Sequence, residues 1–373
     1  MAHHKIVLPI YGGGNFFTAC QDGDLQAVRW YLGHNVNVNK VNPRGGLTPL
    51  HIASSQGHVE IVKALLAANV THINKAFCSA CSNSHVEIVQ LLLAAGADPN
   101  IALHAHAPLT LAIDCNNIEI IRLLLQWRSP DDVKIDLNKM APVVIACRYA
   151  YIKIVQLLLD AGASVNTVDE LGSSALTTAS HLKHYDIVKL LLNDPHIDVN
   201  HHQPDGCTAL MYASKNGKTK IVQELLSKGA DPNHVDRFNN SALINACKRQ
   251  KHKTEIVNML LNAGADPNHV DRFGNTALIV ACIMACRGCR GRNIQIVCDL
   301  LSKGADPNHI DNEGGTALYY SMCSSSDGNH KITNILLEAA PILSKQQSIY
   351  LTLFCACRNG RIGIVRRLMQ VPD

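Results

Sequence analysis

Aromatic side chains are scarce in this sequence: two Trp, six Phe and nine Tyr make up 5% of 373 residues. The core must therefore be aliphatic, drawn from the Leu, Ile, Val and Ala that dominate an apolar content of 47%, which suits short helices packed closely. Long hydrophobic runs are missing as well. No stretch approaches the roughly 18 uninterrupted apolar residues that a membrane-spanning helix requires. The segment Lys5-Ile6-Val7-Leu8-Pro9-Ile10 is short, is interrupted by Pro9 and lacks a small-residue cleavage site, so it does not read as a secretory signal. These absences point to a soluble, intracellular chain without a membrane partner, cytoplasmic with the nucleus as the alternative. Strong charge of one sign is lacking: the formal net charge of +4 does not by itself imply a nucleic-acid partner. The 19 His residues make the chain more basic below about pH 6.5. No nucleophile elbow, phosphate loop or dinucleotide fingerprint is present. Gly12-Gly13-Gly14-Asn15 lacks the Lys-Ser/Thr of a phosphate loop and reads as the flexible end of a leader over residues 1–15.

What the chain does have is self-similarity. One phrase returns about every 33 to 35 residues, and after 40 where unit 9 carries an insertion, as GADPNHVDRFNNSALINAC from Gly229, GADPNHVDRFGNTALIVAC from Gly264 and GADPNHIDNEGGTALYYSM from Gly304. Such a period signals stacked copies of one small unit, each burying its apolar face on its neighbours. Two markers count the copies. An Ile-Val-type pair before a Leu run recurs from Ile61-Val62 to Ile364-Val365, with Ala27-Val28 and Ile332 filling the same slot in degraded form, and a small residue in an earlier apolar run recurs from Ala19 to Ala356. Both give eleven units. Within a unit the spacing predicts two short helices. Thr or Ser caps the first, and Pro49, Pro108 and Pro142 sit one residue inside, where a missing N–H costs nothing. Gly96, Gly162, Gly229, Gly264 and Gly304 follow the second in left-handed caps. An Asp-Pro-Asn or similar and an Asp or Asn with Gly then supply the turn chemistry of a hairpin.

These residues resemble the ankyrin repeat. Thr48-Pro49-Leu50-His51-Ile52-Ala53 through Gly57-His58-Val59-Glu60-Ile61-Val62 nearly spells the family phrase, and the other units match more loosely. The resemblance covers roughly residues 16 to 370. It implies an all-α solenoid of antiparallel helix pairs with β-hairpin fingers and a concave binding face. It also implies a non-catalytic scaffold or adaptor for a protein partner, without cofactor or metal, since the family has no shared catalytic residues. A single array over 16–370 is expected, with a cap unit at 16–46 and another at about 349–370, acting as a monomer. Finger asparagines such as Asn233 and Asn268 resemble sites of hydroxylation in the family. Ankyrin-type bacterial effectors and ubiquitin-ligase adaptors are alternatives within the same fold.

Departures from the repeat mark candidate sites. The finger Asn and the first-helix Leu are ten residues apart in units 6 to 10, but Asn74 to Phe77 and Asn138 to Val143 are three and five apart, so those fingers must be truncated. An insertion, Ile283 to Arg292, separates the helices of unit 9. Arg237-Phe238 and Arg272-Phe273 recur in register at successive fingertips, and Arg and aromatic residues are what interface hot spots use. With His201, His202, Tyr212, Tyr319 and Tyr320 they form the candidate partner-binding set, on units 6 to 10. His201, His234, His269 and His309 follow the finger Asn in four successive units and are expected to form a ladder at about 10 Å spacing, too wide for one metal to bridge. Lys215, Lys218, Lys248, Arg249, Lys251, Lys253, Arg287, Arg290 and Arg292 are expected to stack into a basic edge strip. That strip offers an alternative function, docking an acidic segment or nucleic acid, although no stacking aromatics are interleaved with it. Six of the fourteen cysteines, Cys20, Cys81, Cys147, Cys247, Cys282 and Cys357, share one core slot with Ser54, Ser180 and Ser214, which predicts small, buried side chains rather than ligands. Cys286 and Cys289 have zinc-knuckle spacing, but a single such pair is a weak signal and no metal is assigned.

Overall fold

The computed structural model describes residues 15–369, apart from 44, 104–105, 130–131, 249–252, 287–292, 323–326, 340–352, 355, 359 and 361. The chain falls into two compact units, Met1–Thr167 and Val168–Asp373. Among the described residues the secondary structure is helical, and β-pairing consists of isolated bridges. None of these helices is long and apolar enough to cross a membrane.

The first unit holds the helix pairs α1 (Phe16–Asp22) and α2 (Leu25–Gly33), α3 (Pro49–Gln56) and α4 (Val59–Ala67), α5 (Ile73–Ser82) and α6 (Val86–Ala94), α7 (Pro108–Asp114) and α8 (Ile118–Gln126), α9 (Pro142–Arg148) and α10 (Ile152–Asp160). The second holds α11 (Ala175–Leu182) and α12 (Tyr185–Leu191), α13 (Ala209–Asn216) and α14 (Thr219–Ser227), α15 (Ala242–Cys247) and α16 (Lys253–Asn262), α17 (Ala277–Cys286) and α18 (Asn293–Ser302), α19 (Ala317–Met322) and α20 (Asp327–Ala339), then α21 (Ile362–Leu368). Helices this short are marginal alone. Each gains its stability by packing on its partner and on the equivalent helix of the next pair: α3 lies against α1, α4 and α5, and α14 against α12, α13 and α16.

Local chemistry sets the helix ends. The hydroxyls of Thr48, Ser174, Thr208, Ser241 and Thr276 accept the backbone N–H three residues on, at 3.2–3.3 Å, and Pro49, Pro108 and Pro142 open their helices. Ile61, Val62 and Leu65, then Ile221, Val222 and Leu225, are buried at matching positions of α4 and α14. The repeated small slot is buried at Cys20, Cys81, Cys147, Cys247 and Cys282. Burial pushes the Cys20 thiol up to about 12 and those of Cys81, Cys147 and Cys282 higher still, so they pack as neutral groups. Cys357 departs from the expectation and is exposed; among the described residues only α21 follows it.

Two further expectations meet the structure directly. The truncated fingers are truncated: α5 begins at Ile73, so Asn74 is already helical, and only a short turn separates Asn138 from Pro142. The inserted stretch in unit 9 is not all loop. Helix α17 continues through Cys286 because Ile283, Met284 and Ala285 sustain the apolar helix, with Ala285 buried; residues 287–292 lie outside the described residues.

Replacing Leu225 with Asp places an unpaired charge among α12, α14 and α16, at a cost of at least about 3 kcal/mol. Because repeats couple chiefly to their neighbours, denaturant unfolding is expected to split into two transitions. One cooperative transition at an unchanged midpoint would contradict this packing. A second expectation concerns His51, whose Nε2 lies 2.9 Å from Ser79 Oγ. Burial, and then the Lys75 charge, holds its pKa below the ordinary value. The folded state thus favours neutral imidazole; its contribution is complete above about pH 6.5 and is lost as pH falls from there through the depressed value. His51→Gln should flatten the fall in stability between about pH 7 and pH 5; an unchanged slope would show that His51 does not carry it.

Candidate functional site

The fingers of the second unit are built on aspartates. Asp169, Asp236, Asp271 and Asp311 each use Oδ1 to accept the backbone N–H groups two and four residues on, at 2.8–3.0 Å. Asp205 does so once, from Cys207 at 2.9 Å. This is Asx-turn chemistry. It reverses the chain through a left-handed residue: Gly172, Gly206, Asn239, Gly274 and Gly314. Isolated bridges close the fingers below, Val168 with Ser174, His202 with Thr208, Val235 with Ser241 and Val270 with Thr276. At Gly274 the demand on the residue is double. Its φ is +76°, and an added Cβ would stand 2.6 Å from Asn312 Oδ1 on the next finger.

Successive fingers are tied at three heights. At the base, Asn233 Oδ1 accepts from the Asp266 N–H at 2.8 Å while its Nδ2 donates to the Gly264 carbonyl at 2.9 Å. Asn200 and Asn268 repeat this with Asp231 and Gly229, and with Asp306 and Gly304. At mid-height, His201, His234, His269 and His309 direct Nε2 to the carbonyls of Gly172, Gly206, Asn239 and Gly274 at 2.9–3.0 Å. A carbonyl only accepts, so Nε2 carries the proton in each. Each of the four histidines thereby reaches the preceding fingertip. At the top, the N–H groups of Arg237, Arg272 and Asn312 donate to the carbonyls of Asp205, Phe238 and Phe273 at 2.9–3.1 Å. The Asn239 side chain adds a bond to the Val270 carbonyl at 2.7 Å.

On this scaffold the four fingertip residues form one interleaved stack. The Arg237 guanidinium lies 4.7 Å from the Phe238 centroid, and that of Arg272 lies 4.7 Å from Phe238 and 4.5 Å from Phe273. Phe238 is 37% exposed and Phe273 52%. Each exposed cation–ring contact stabilises by about 0.5–1 kcal/mol. His202 stacks on His234, with centroids 5.2 Å apart.

The tyrosines have another task. Tyr212 donates its hydroxyl to Gln203 Oε1 and stacks on His181. Tyr320 donates to Asp311 Oδ2 at 2.7 Å, and Tyr319 meets it edge-on. Desolvation, then the Cys207 charge, raises the pKa of Tyr212; desolvation, then the bond to Asp311, raises that of Tyr320. Both hydroxyls stay protonated and brace the finger nine residues upstream. Lys248 also turns toward the fingers: its Nζ bonds Asn240 Oδ1 and lies 3.4 Å from the buried Asp271 carboxylate. Lys215, in the last turn of α13, and Lys218, just before α14, are exposed. Arg249, Lys251, Arg287, Arg290 and Arg292 lie outside the described residues, as does the side chain of Lys253. Cys289 lies outside them too; among the described residues no three His, Cys, Asp or Glu side chains converge as metal ligands would. Leu171, 73% exposed at a fingertip, and the bridging Asn239 and Asn312 are not among the residues singled out from sequence. Aligning Asp169-Glu170-Leu171-Gly172 and Asp311-Asn312-Glu313-Gly314 with Asp236-Arg237-Phe238-Asn239 would have found them.

The family model described as ankyrin repeats (3 copies) matches residues 16–102, 101–169, 164–236, 210–308 and 283–372. The ankyrin repeat and KH domain-containing protein mask-1 of Caenorhabditis elegans is 34% identical over 87 residues, 23% of this chain and 3% of that protein. A probable E3 ubiquitin-protein ligase, XBOS32, of Oryza sativa subsp. japonica is 42% identical over 59 residues, 16% of this chain and 12% of that one. Human ankyrin repeat family A protein 2 is 39% identical over 51 residues, 14% of this chain and 16% of that one. The chain thus spans between 3% and 16% of these relatives' lengths. A solved ankyrin repeat domain from Acinetobacter baumannii is 32% identical, covering 53% of this chain and 97% of its own, with a TM-score of 0.48.

Asn233→Ala removes both base bonds between two fingers and should cost about 1–2 kcal/mol, read as a lower denaturation midpoint. Asn233→Asp keeps the acceptor and loses the donor, so it should fall between. No loss in either variant would contradict the tie.

Proposed function

Because this chain belongs to the ankyrin-repeat family, we propose that it is a non-catalytic scaffold or adaptor whose second unit holds a protein partner on its fingertip row. Ankyrin repeats in general are protein–protein interaction modules. The observation that carries the reading is the exposed Arg237–Phe238–Arg272–Phe273 stack on fingers whose backbones are tied to one another. Exposed Arg and aromatic groups are the usual anchors of interfaces. A surface already ordered loses little entropy on binding. His201 and Tyr212 contribute indirectly, by holding the fingers, and His202 stacks on His234. The repeats are read as running from 16 to 370 with caps at 16–46 and about 349–370, in a monomer of the cytoplasm or nucleus.

Docking on the basic edge is the weaker reading, since Lys248 is engaged with Asn240 and Asp271. The ligase named among the relatives matches over 59 residues, so nothing more specific than an adaptor is proposed from it.

A displayed random-peptide library selected on the full chain tests the reading. Ligands enriched on the wild type should bind at least about tenfold more weakly to the Arg237→Ala/Phe238→Ala/Arg272→Ala/Phe273→Ala variant, a loss of about 1.4 kcal/mol. The substitutions keep every backbone bond but remove three exposed cation–ring contacts, so the thermal midpoint should fall by no more than a few degrees. Equal affinity for both proteins would remove the fingertips from the site.

A further inference from the structure

We propose that the fingertip row takes an extended peptide segment bearing two carboxylates on one face, one for Arg237 and one for Arg272. The inference rests on the fingertip reading above and adds the chemistry of the partner.

Three observations lead to it. The first is the state of the two guanidiniums. Their guanidinium carbons stand 4.5–4.7 Å from phenyl centroids, and a ring engages none of the N–H groups as a hydrogen-bond acceptor would, which leaves them for acceptors. Among the described residues neither side chain has a hydrogen-bond acceptor or a carboxylate in ion-pair range. Two oriented, unpaired forks on a fixed scaffold match carboxylates in geometry as well as charge.

The second is spacing. Both guanidinium carbons stand 4.7 Å from the one Phe238 centroid, so they are at most twice that apart. In an extended chain alternate residues share a face and are about 7 Å apart. Acids at positions i and i+2 fit this interval.

The third is what flanks the pair. At their tips, the fingers before it carry Glu170, at the position of the arginines, and Asp205, at the position of the phenylalanines, and the finger after it carries Glu313, also at the phenylalanine position. The cationic stretch is therefore two fingers long and bounded by acids on both sides. A short diacidic motif with neutral or basic flanks is accommodated, and a longer polyanion meets repulsion at each end. This argues against nucleic acid, whose phosphates continue past the pair. Base stacking would also compete with the guanidiniums that already lie over both rings.

The test uses the full chain and fluorescent Gly/Ser host peptides with central Glu-Val-Glu, Gln-Val-Gln or Glu-Gly-Gly-Gly-Gly-Glu. A single-stranded oligothymidylate serves as competitor. The Glu-Val-Glu peptide is expected to bind at least about tenfold tighter than its diamide and than the wide-spaced peptide. The preference should weaken with salt and disappear in Arg237→Met/Arg272→Met, which keeps apolar stems over the rings. Arg237→Glu/Arg272→Glu should instead select Lys-Val-Lys, a gain that misfolding cannot imitate. Equal binding of diacid and diamide would overturn the inference, as would failure of the charge swap or tighter, arginine-dependent binding of the oligonucleotide. If the displayed library yields fingertip-dependent ligands that lack paired acids, the fingertip reading stands and the diacidic inference falls. If it yields none that depend on the fingertips, both fall.

Discussion

Each finger closes on itself only through a short Asx turn and at most an isolated bridge, so its remaining backbone groups must find partners on its neighbours, and the fold of the second unit turns on that need. An unpaired N–H or carbonyl in a turn between packed elements is costly. From the finger of Asp236 to that of Asp311 the repeat meets the demand with the same kinds of group each time. Asn at the base, His at mid-height and a backbone N–H at the tip each reach the adjacent finger. One period of sequence thereby supplies both halves of every junction. That explains why a phrase such as GADPNHVDRFGNTAL is repeated almost whole while helix surfaces drift.

Function follows from the same ties. A fingertip held at three heights presents Arg and Phe side chains in a fixed register, so neighbouring arginines and rings can interleave rather than act singly. Residues that resemble recognition groups are used to hold that register. Tyr320 secures Asp311, Tyr212 secures Gln203, and Lys248 neutralises the buried Asp271. The exposed anchors and their supports thus belong to one hydrogen-bonded network, which is what a binding surface needs in order to stay preorganised.

Much of this was legible in the sequence. The period, the Thr and Ser caps, the Pro starts, the buried Ile-Val pairs and the two truncated fingers all depend on near neighbours along the chain. Spacing alone therefore reveals them. The register of Arg237-Phe238 with Arg272-Phe273 was legible for the same reason. What spacing could not reveal was direction. Lys248 belongs by position to a loop, yet it reaches Asp271 on a finger that stacking brings near. Tyr212 and Tyr320 have the composition of interface residues, but their hydroxyl partners lie nine residues back, at a separation set by the finger's fold. The continuation of α17 through Cys286 was hidden because the repeat template ends its helix earlier, whereas the apolar Ile283-Met284-Ala285 lets it run on.

The central claim is that the fingertips of the second unit form one rigid, mutually bonded row. Site-resolved amide hydrogen exchange measures this most directly. The amides of Arg237, Arg272 and Asn312 carry exposed or polar side chains, yet each donates to the finger before it. The account predicts slow exchange at all three, comparable to one another and far below that of an unstructured loop. Exchange at the rate of a free peptide would show that the fingers move independently and would contradict the row on which the binding surface depends.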